Sequence, residues 1–453
     1  MHSLSSKRTF QHRFLQKLFH PVDNSPLVIF RVCFGFLLLY HCLSFILSGK
    51  VYENFIQPPF TFTYIGFEFL QPLPGNGMYI YFGVMAVLAL LVMLGAWYRP
   101  AMIGFTLLWV IIYLMQKSNY NNHYYFILLL CCLMSAMPAN ACFSVDAKRS
   151  IITPTHTCPQ WVSWLLIAQM AIIYFYSAIN KFTPDWLSGK FIALQFSGFS
   201  TRHLLGPLYG SRLFQLFICY GSIIFELLII PLLLWKKTRT PALFVYCGCH
   251  LFNAYTFRIG IFPWLCIAAA LFFLDGEKLR GSFFKNSRPQ ISGDAVIIRK
   301  ITARRIFVYC LGIYLLFQVL LPMRSWFYPG NVFWTEEGYR MSWKMMLRKK
   351  AGKIHFKVSD TATGKIWDID PAERFTRSHL NWLAVCPDIV WQYAQRLKKE
   401  FNGKGYPNVA VYAIDSVSLN NNPLQLLIDP AVDLTKVSWQ PFSHSDWILS
   451  GGY

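Results

Sequence analysis

Long apolar runs, rather than alternation or heptads, dominate the first two thirds of the chain. They fall near residues 27–47, 77–97, 101–115, 122–137, 161–180, 212–235, 241–257, 259–274 and 306–322. A straight span needs about 20 apolar residues, so the pattern predicts a polytopic α-helical membrane protein. Three runs, 101–115, 122–137 and 259–274, are short enough to form shortened or re-entrant spans, so eight or nine crossings are expected. The first 26 residues are basic and polar, and the first apolar run is itself long enough to span. No cleaved leader is therefore expected.

Beyond Pro322 the pattern changes: charged residues return and apolar runs shorten. Lys353–Ser359 alternates as a half-buried strand does. Asp360–Gly364 reads as a turn and Lys365–Asp370 as the return strand. Residues 378–401 predict a helix ending near Asn402-Gly403, and Val409–Ile414 and Leu424–Ile428 predict further strands. The expected division is a basic N-terminal segment (1–26), a transmembrane domain (27–322) and an extramembrane α+β, β-rich domain (323–453).

Composition strengthens the membrane reading. Of 453 residues, 55% are hydrophobic and only 14% are charged, against about 25% charged in soluble chains. That excludes a disordered chain or a coiled coil. A net charge of +21 would suggest nucleic acid in a soluble protein, but no basic helix or aromatic-basic sheet motif accompanies it. Membrane lipid is the expected partner, and nucleic acid is not.

The cations instead sort by loop. With the N-terminus inside, Lys7, Arg8, Arg13, Lys17, Arg99, Lys148, Arg149, Lys236, Lys237, Arg239 and the cluster from Lys278 to Arg305 fall on the cytoplasmic side. Lys50, Lys117, Lys190, Arg202 and Arg258 fall outside. Nine spans then place the C-terminal domain outside, on a periplasmic or lumenal face; eight would place it inside. A bacterial inner membrane suits this pattern, and an endoplasmic reticulum membrane satisfies the same rules. The twelve cysteines lie mostly in apolar runs and read as buried thiols. Cys247 and Cys249 are too close for zinc spacing, and no metal is expected.

Ionisable residues inside spans are expensive and mark interior partners or function. Arg31, His123, Lys181, Glu226 and His250 qualify. The predicted topology brings His123, Lys181 and His250 towards one membrane face. Glu226 lies deeper and reads as the partner of a buried cation, with Arg31 the candidate. In Ser118–His123, a helix cap explains one asparagine but not two amides beside an imidazole. Lys181 reads equally as a lysine snorkelling to the interface or as a buried amine available for general-base chemistry.

Several separated motifs carry a resemblance. They are Asn121-Asn122-His123, Phe143-Ser-Val-Asp146, Lys181 with Asp185-Trp186, His250 with Asn253 and Ile259-Gly260, Ser342-Trp343-Lys-Met345-Met346, Asp429-Pro430-Ala-Val432-Asp433, and Trp439-x-Pro441-Phe442. In this order and spacing the chain resembles the vitamin K-dependent gamma-carboxylase family, whose membrane part is the HTTM domain, from about residue 26 to about 447. It looks like a bacterial-type homologue without the C-terminal extension of animal members. The resemblance implies an enzyme that oxygenates vitamin K hydroquinone to its epoxide. The strong base so formed takes the γ-proton of a protein glutamate, and carbon dioxide then adds. It implies Lys181 and His123 as catalytic residues. Asn122, His250, Asn253, Tyr339, Trp343, Met345 and Met346 are implied as the quinone site. Oxygen and carbon dioxide are the implied co-substrates, and a prenylated quinone and a glutamate-containing protein the implied partners.

The chain also departs from the family pattern. Ser325 and Arg348 stand where the family has histidines, and Ala431 where it has an arginine. Arg348, Lys349 or Lys350 could replace that positive charge, or could simply be solvated. Gln395 stands at one position of the animal disulfide, and residues 57–67 hold no cysteine for the other. Three functions remain open on sequence: the carboxylase, a quinol epoxidase coupled to another substrate, and a quinone- or lipid-binding membrane protein without turnover.

Overall fold

The computed structural model describes residues 13–198, 205–284 and 301–451. Lys7, Arg8, Arg202 and, within the cluster from Lys278 to Arg305, Lys285, Arg288, Arg299 and Lys300 lie outside the described residues.

Among the described residues, nine apolar helices match the nine runs: α1 Ser25–Leu47, α2 Gly77–Leu94, α3 Tyr98–Met115, α4 Asn122–Ala136, α5 Trp161–Ile179, α6 Arg212–Leu234, α7 Arg239–Phe257, α8 Phe262–Ala269 and α9 Ile301–Met323. Six (α1, α2, α3, α5, α6 and α9) are long and apolar enough to cross a membrane. The protein is thus a polytopic membrane protein. The short run at 101–115 proves full length. The other two are short in fact: α4 has 15 residues, and α8 has eight before a 3-10 turn to Phe273. Helix α7 has the length but carries His250, Asn253 and Thr256.

Helices α1 and α2 pack closely because Gly35 lacks a side chain. A Cβ there would lie 2.5 Å from the Met93 backbone nitrogen. Helices α5, α6, α7 and α8 pack in succession, and α9 lies against α5.

At the end of the bundle where α3 begins, the Phe143–Asp146 motif acts as a clamp. The Asp146 carboxylate accepts from the backbone N–H groups of Trp97 (2.7 Å) and Tyr98 (3.0 Å). It thereby caps the positive end of α3. Arg31 donates to the carbonyls of Ala139 (3.0 Å) and Phe143 (2.6 Å). The expected Arg31–Glu226 pairing is therefore incorrect: main-chain carbonyls take both terminal guanidinium nitrogens, and Glu226 pairs with Lys181. The same end holds a two-stranded ribbon that hydropathy did not predict, β1 Pro21–Asp23 with β2 Thr157–Pro159.

The C-terminal region builds a three-stranded antiparallel sheet, order β4-β3-β5, from β3 Lys350–Asp360, β4 Ile366–Ile369 and β5 Val409–Leu419. Odd positions of β5 from Val409 to Leu419 are all buried, the period of two expected of a strand with one covered face. The predicted helix at 378–401 is two helices, α10 Arg377–Leu383 and α11 Pro387–Gly403. Pro387 forces Cys386 into an extended conformation (φ −117°, ψ 107°). The predicted strand at 424–428 makes only isolated bridges, Val417 with Gln425 and Ile428 with Ile448. The buried Asp415 carboxylate takes the Leu427 N–H instead (3.0 Å). All twelve cysteines are free thiols, and Cys132 and Cys310 are exposed on the apolar flank rather than buried.

The sheet region docks on the end of the bundle where α3 stops and α4 starts. Lys117 Nζ and Arg340 Nη1 both reach Asp388 Oδ2, at 2.7 and 2.8 Å. These two cations hold the Asp388 carboxyl well below its ordinary range, while burial pulls the Lys117 ammonium down to about 8. Gln116 bonds the His379 ring (2.7 Å), and Gln392 bonds the Thr63 carbonyl (3.0 Å).

Candidate active site

Helices α4 to α8 enclose a cavity of about 410 Å³ whose wall includes Phe126, Met170, Ile173, Phe225, Phe262 and Met345. Phe217 of α6 and Val245 of α7 belong to this wall and are also 68% and 54% exposed. The mouth therefore lies between α6 and α7, on the apolar flank. Gly221 and Gly248 line the cavity as well, and a Cβ at either position would meet nothing within 4 Å. Small residues on both helices keep the space open.

A few polar groups break this apolar surface: Tyr174, Ser222, Glu226, His250 and Asn253. The Tyr174 hydroxyl and His250 Nε2 share a hydrogen bond of 2.6 Å. His250 Nδ1 is buried without a hydrogen-bond partner among the described residues. Glu226 forms an ion pair with Lys181. Ser177, one helical turn before Lys181, joins the two: its hydroxyl donates to Glu226 Oε1 (2.8 Å) and accepts from Lys181 Nζ (3.0 Å). The Trp186 ring lies 5.2 Å from the same nitrogen. Lys181 is only 5% exposed, which removes the snorkelling reading.

The cavity is roofed from the C-terminal region. Asn180 Nδ2 donates to the Ser342 carbonyl (2.8 Å), and Lys344 Nζ returns to Asn180 Oδ1 (2.7 Å). Asn122 Nδ2 and the Tyr339 hydroxyl both donate to the Lys344 carbonyl, at 3.2 and 3.0 Å. The ends of α4 and α5 thus pin one short segment. Met341, Trp343 and Met346 there adopt positive φ of 63°, 54° and 53°. Each costs a non-glycine residue about 1–2 kcal/mol, and such strain persists only where surroundings over-determine it. Burial pulls the Lys344 ammonium down to about 8.

The candidates from sequence therefore separate into layers. His250, Asn253 and Met345 line the cavity. His123 stands one ring behind it, stacked on Phe262 at 4.2 Å, and Lys181 stands behind Glu226. Asn122, Tyr339, Trp343 and Met346 belong to the roof. Asn121 is the cap of α4, accepting from the His123 N–H (2.6 Å). Sequence reasoning missed Tyr174, Phe262, Asn180 and Lys344, and misplaced Glu226. Only Glu226 carried a usable signal, as an intramembrane acid with two possible partners.

The substitutions that depart from the family pattern are also placed. The Arg348 side chain is largely buried, bonded to Glu336 Oε2 (2.8 Å) and stacked 4.4 Å from the Tyr339 ring centre. The Lys350 ammonium, fully buried, faces the same carboxylate at 3.6 Å. The solvated reading of these two residues is thus incorrect, while Lys349 is exposed. Ser325 donates to the Pro322 carbonyl (3.0 Å), and Ala431 is exposed.

Comparison with known families gives a consistent answer. The HTTM domain family matches residues 19–277, and the lumenal domain of vitamin K-dependent gamma-carboxylase matches residues 303–452. The chain belongs to the vitamin K-dependent gamma-carboxylase family. The two matches meet at the cavity: its helices lie in the HTTM part, while Met345 comes from the lumenal-domain part. No solved structure matches the chain. A gamma-carboxylase-like protein implies vitamin K, and the cavity suits it. An apolar chamber open at the flank accepts a lipid-soluble ring, and the unpaired His250 Nδ1 offers a polar atom to a ring oxygen.

Proposed function

We propose that the protein oxygenates vitamin K hydroquinone to its epoxide and couples this to γ-carboxylation of protein glutamate. The observation that carries the reading is the apolar chamber opening between α6 and α7, with an imidazole and a carboxylate–ammonium pair at its wall. With oxygen, the bound hydroquinone supplies a base strong enough to remove a glutamate γ-proton, and carbon dioxide takes that proton's place. The chain's own residues prepare this chemistry. The Lys181–Glu226 pair is where the phenolic proton leaves. His250 and Asn253 orient the ring oxygens. His123 fixes Phe262, and Asn122 and Tyr339 fix the roof that carries Trp343, Met345 and Met346. The roof and the apolar walls exclude water that would quench a strong base.

Specific observations favour a second reading, a quinol epoxidase serving another acceptor. Ala431 offers no charge, and Arg348 and Lys350 are both committed to Glu336. Neither is free to hold a substrate carboxylate in place of the missing arginine.

The proposed orientation puts the N-terminus in the cytoplasm and the C-terminal domain on the periplasmic or lumenal face, most simply of a bacterial inner membrane. Its support is that Arg99, Lys148, Arg149, Lys236 and Lys237 lie at helix ends opposite the docked sheet.

The test uses purified protein with reduced vitamin K, bicarbonate and a glutamate-containing peptide, and measures epoxide and peptide mass together. Epoxide with one added carboxyl group per peptide is the expected result. Epoxide without that gain selects the epoxidase. Neither product, from folded protein, overturns both and leaves a quinone-binding protein.

A further inference from the structure

We infer that a second cleft, on the outer side of the roof, holds an acidic side chain of the peptide acceptor other than the reacting glutamate, with Arg324 gripping its carboxylate. This rests on the carboxylase reading above and names what selects the acceptor.

The cleft encloses about 380 Å³, within the range of ligand pockets. Tyr64, Gly338, Met341 and Asp388 line it, together with Trp439, Gln440 and Pro441. The last three belong to a sequence motif that the chamber leaves unused. Gln440 and Pro441 are exposed, so the cleft opens to solvent there. The Tyr328 hydroxyl fixes this rim by donating to the Pro441 carbonyl (2.6 Å).

The carboxylates of the cleft are already answered. Asp388 has Lys117 and Arg340, and Glu336 has Arg348 and Lys350. Glu337 is bonded to His444 Nδ1 (2.6 Å) and to the Ser445 N–H (3.0 Å). Arg324, which also lines the cleft, differs. Its Nη2 donates to the Arg340 carbonyl (2.7 Å), and no carboxylate pairs with it among the described residues. Its Nε, like that of Arg340, is buried there without a hydrogen-bond partner. The cleft thus carries an unanswered positive charge and unmet guanidinium donors. A carboxylate meets both, and a neutral amide does not meet the charge.

The occupant is not the glutamate that reacts. Among the described residues the cleft and the chamber share no lining residue. Met341 lines the cleft, Met345 lines the chamber, and Trp343 between them is fully buried. Four residue steps place the Met341 and Met345 Cα atoms at most about 14 Å apart. An extended peptide covers that distance in about four residues. An acid four residues from the reacting glutamate is therefore the one suited to the cleft. Arg324 supplies there the charge that Ala431 lacks and that Arg348 and Lys350 have committed to Glu336.

The test uses the full-length protein in lipid nanodiscs and two fluorescent peptides. Both carry one glutamate; four residues away, one has a second glutamate and the other a glutamine. Fluorescence anisotropy should show the diacid binding about tenfold tighter. Arg324→Gln, checked by its melting temperature, should bind the two alike, and Arg324→Lys should restore part of the difference. If Arg324→Gln does not fold, Gln440→Glu, a change on the exposed rim, should erase the preference by placing a carboxylate at the mouth. With reduced vitamin K and bicarbonate, the same preference should appear in the KM for carboxylation. Equal binding of the two peptides by wild-type protein, or a preference that survives Arg324→Gln or Gln440→Glu, overturns the inference. Arg324-dependent binding with no carboxyl gain by either peptide overturns the carboxylase reading instead and leaves the cleft as an acidic-peptide site.

Discussion

Lys181–Glu226 in the bundle and Lys117–Asp388–Arg340 at the docking interface are both buried charge clusters, but their carboxylates are saturated differently. Asp388 has two cations, and its carboxyl is held well below the ordinary range. A cleft of about 380 Å³ opens beside it, yet a carboxylate gripped by two cations has little proton affinity. Glu226 has one cation and one hydroxyl, and it faces an apolar chamber. An excess of cations turns a buried acid into a staple. A single counter-charge leaves Glu226 with one side open to the chamber.

Four changes test this contrast, from largest to smallest effect. Lys181→Ala should lower epoxide formation by about 10²–10⁴ without unfolding the protein, measured by epoxide yield and size-exclusion profile. Wild-type-like turnover would remove Lys181 from the site. Asp388→Ala should instead cost stability, about 3–5 kcal/mol, because it strands two buried cations. Thermal unfolding of the purified protein measures it, and an unchanged melting temperature would show that the interface does not depend on this staple.

Acid should act on the staple side too. His379 lies between Gln116 and Thr376, and burial pulls its imidazole down to about 4 from an ordinary 6.5. The unfolded chain binds this proton first, so stability is complete above pH 6.5 and falls as pH drops towards 4, by about 3 kcal/mol. Melting temperatures at pH 7 and 4.5 should separate, and His379→Gln should narrow the gap. The smallest change is Gly248→Leu, which fills open cavity space. It should weaken quinol binding about tenfold, roughly 1.4 kcal/mol, with melting unaffected. Unchanged affinity would place the quinol elsewhere.

The helices were legible because lipid demands long apolar runs, and all nine were found at their predicted places. The sheet was legible where one face is covered, as in Lys353–Ser359. What stayed hidden depended on tertiary pairing. Hydropathy cannot say that Arg31 turns to main-chain carbonyls, or that Glu226 turns towards Lys181. It cannot separate Leu424–Ile428 from a strand, because a buried carboxylate at Asp415 supplies partners that a ladder would otherwise supply. At the site, the motifs marked the neighbourhood. Which residue lines the chamber and which stands behind Phe262 or Glu226 is decided by packing between elements as far apart as Asn122 and Lys344, 222 positions in sequence.

The pinned segment at 339–346 also sets an order of events during synthesis. The chamber's helical wall is complete once α8 has been made, but its ceiling follows about 70 residues later. A ribosome that has inserted the helices has produced an open basin rather than a closed chamber. Docking of the segment around Ser342 and Lys344 onto Asn122 and Asn180 is what closes it, so enclosure arrives last, with the residues that seal it.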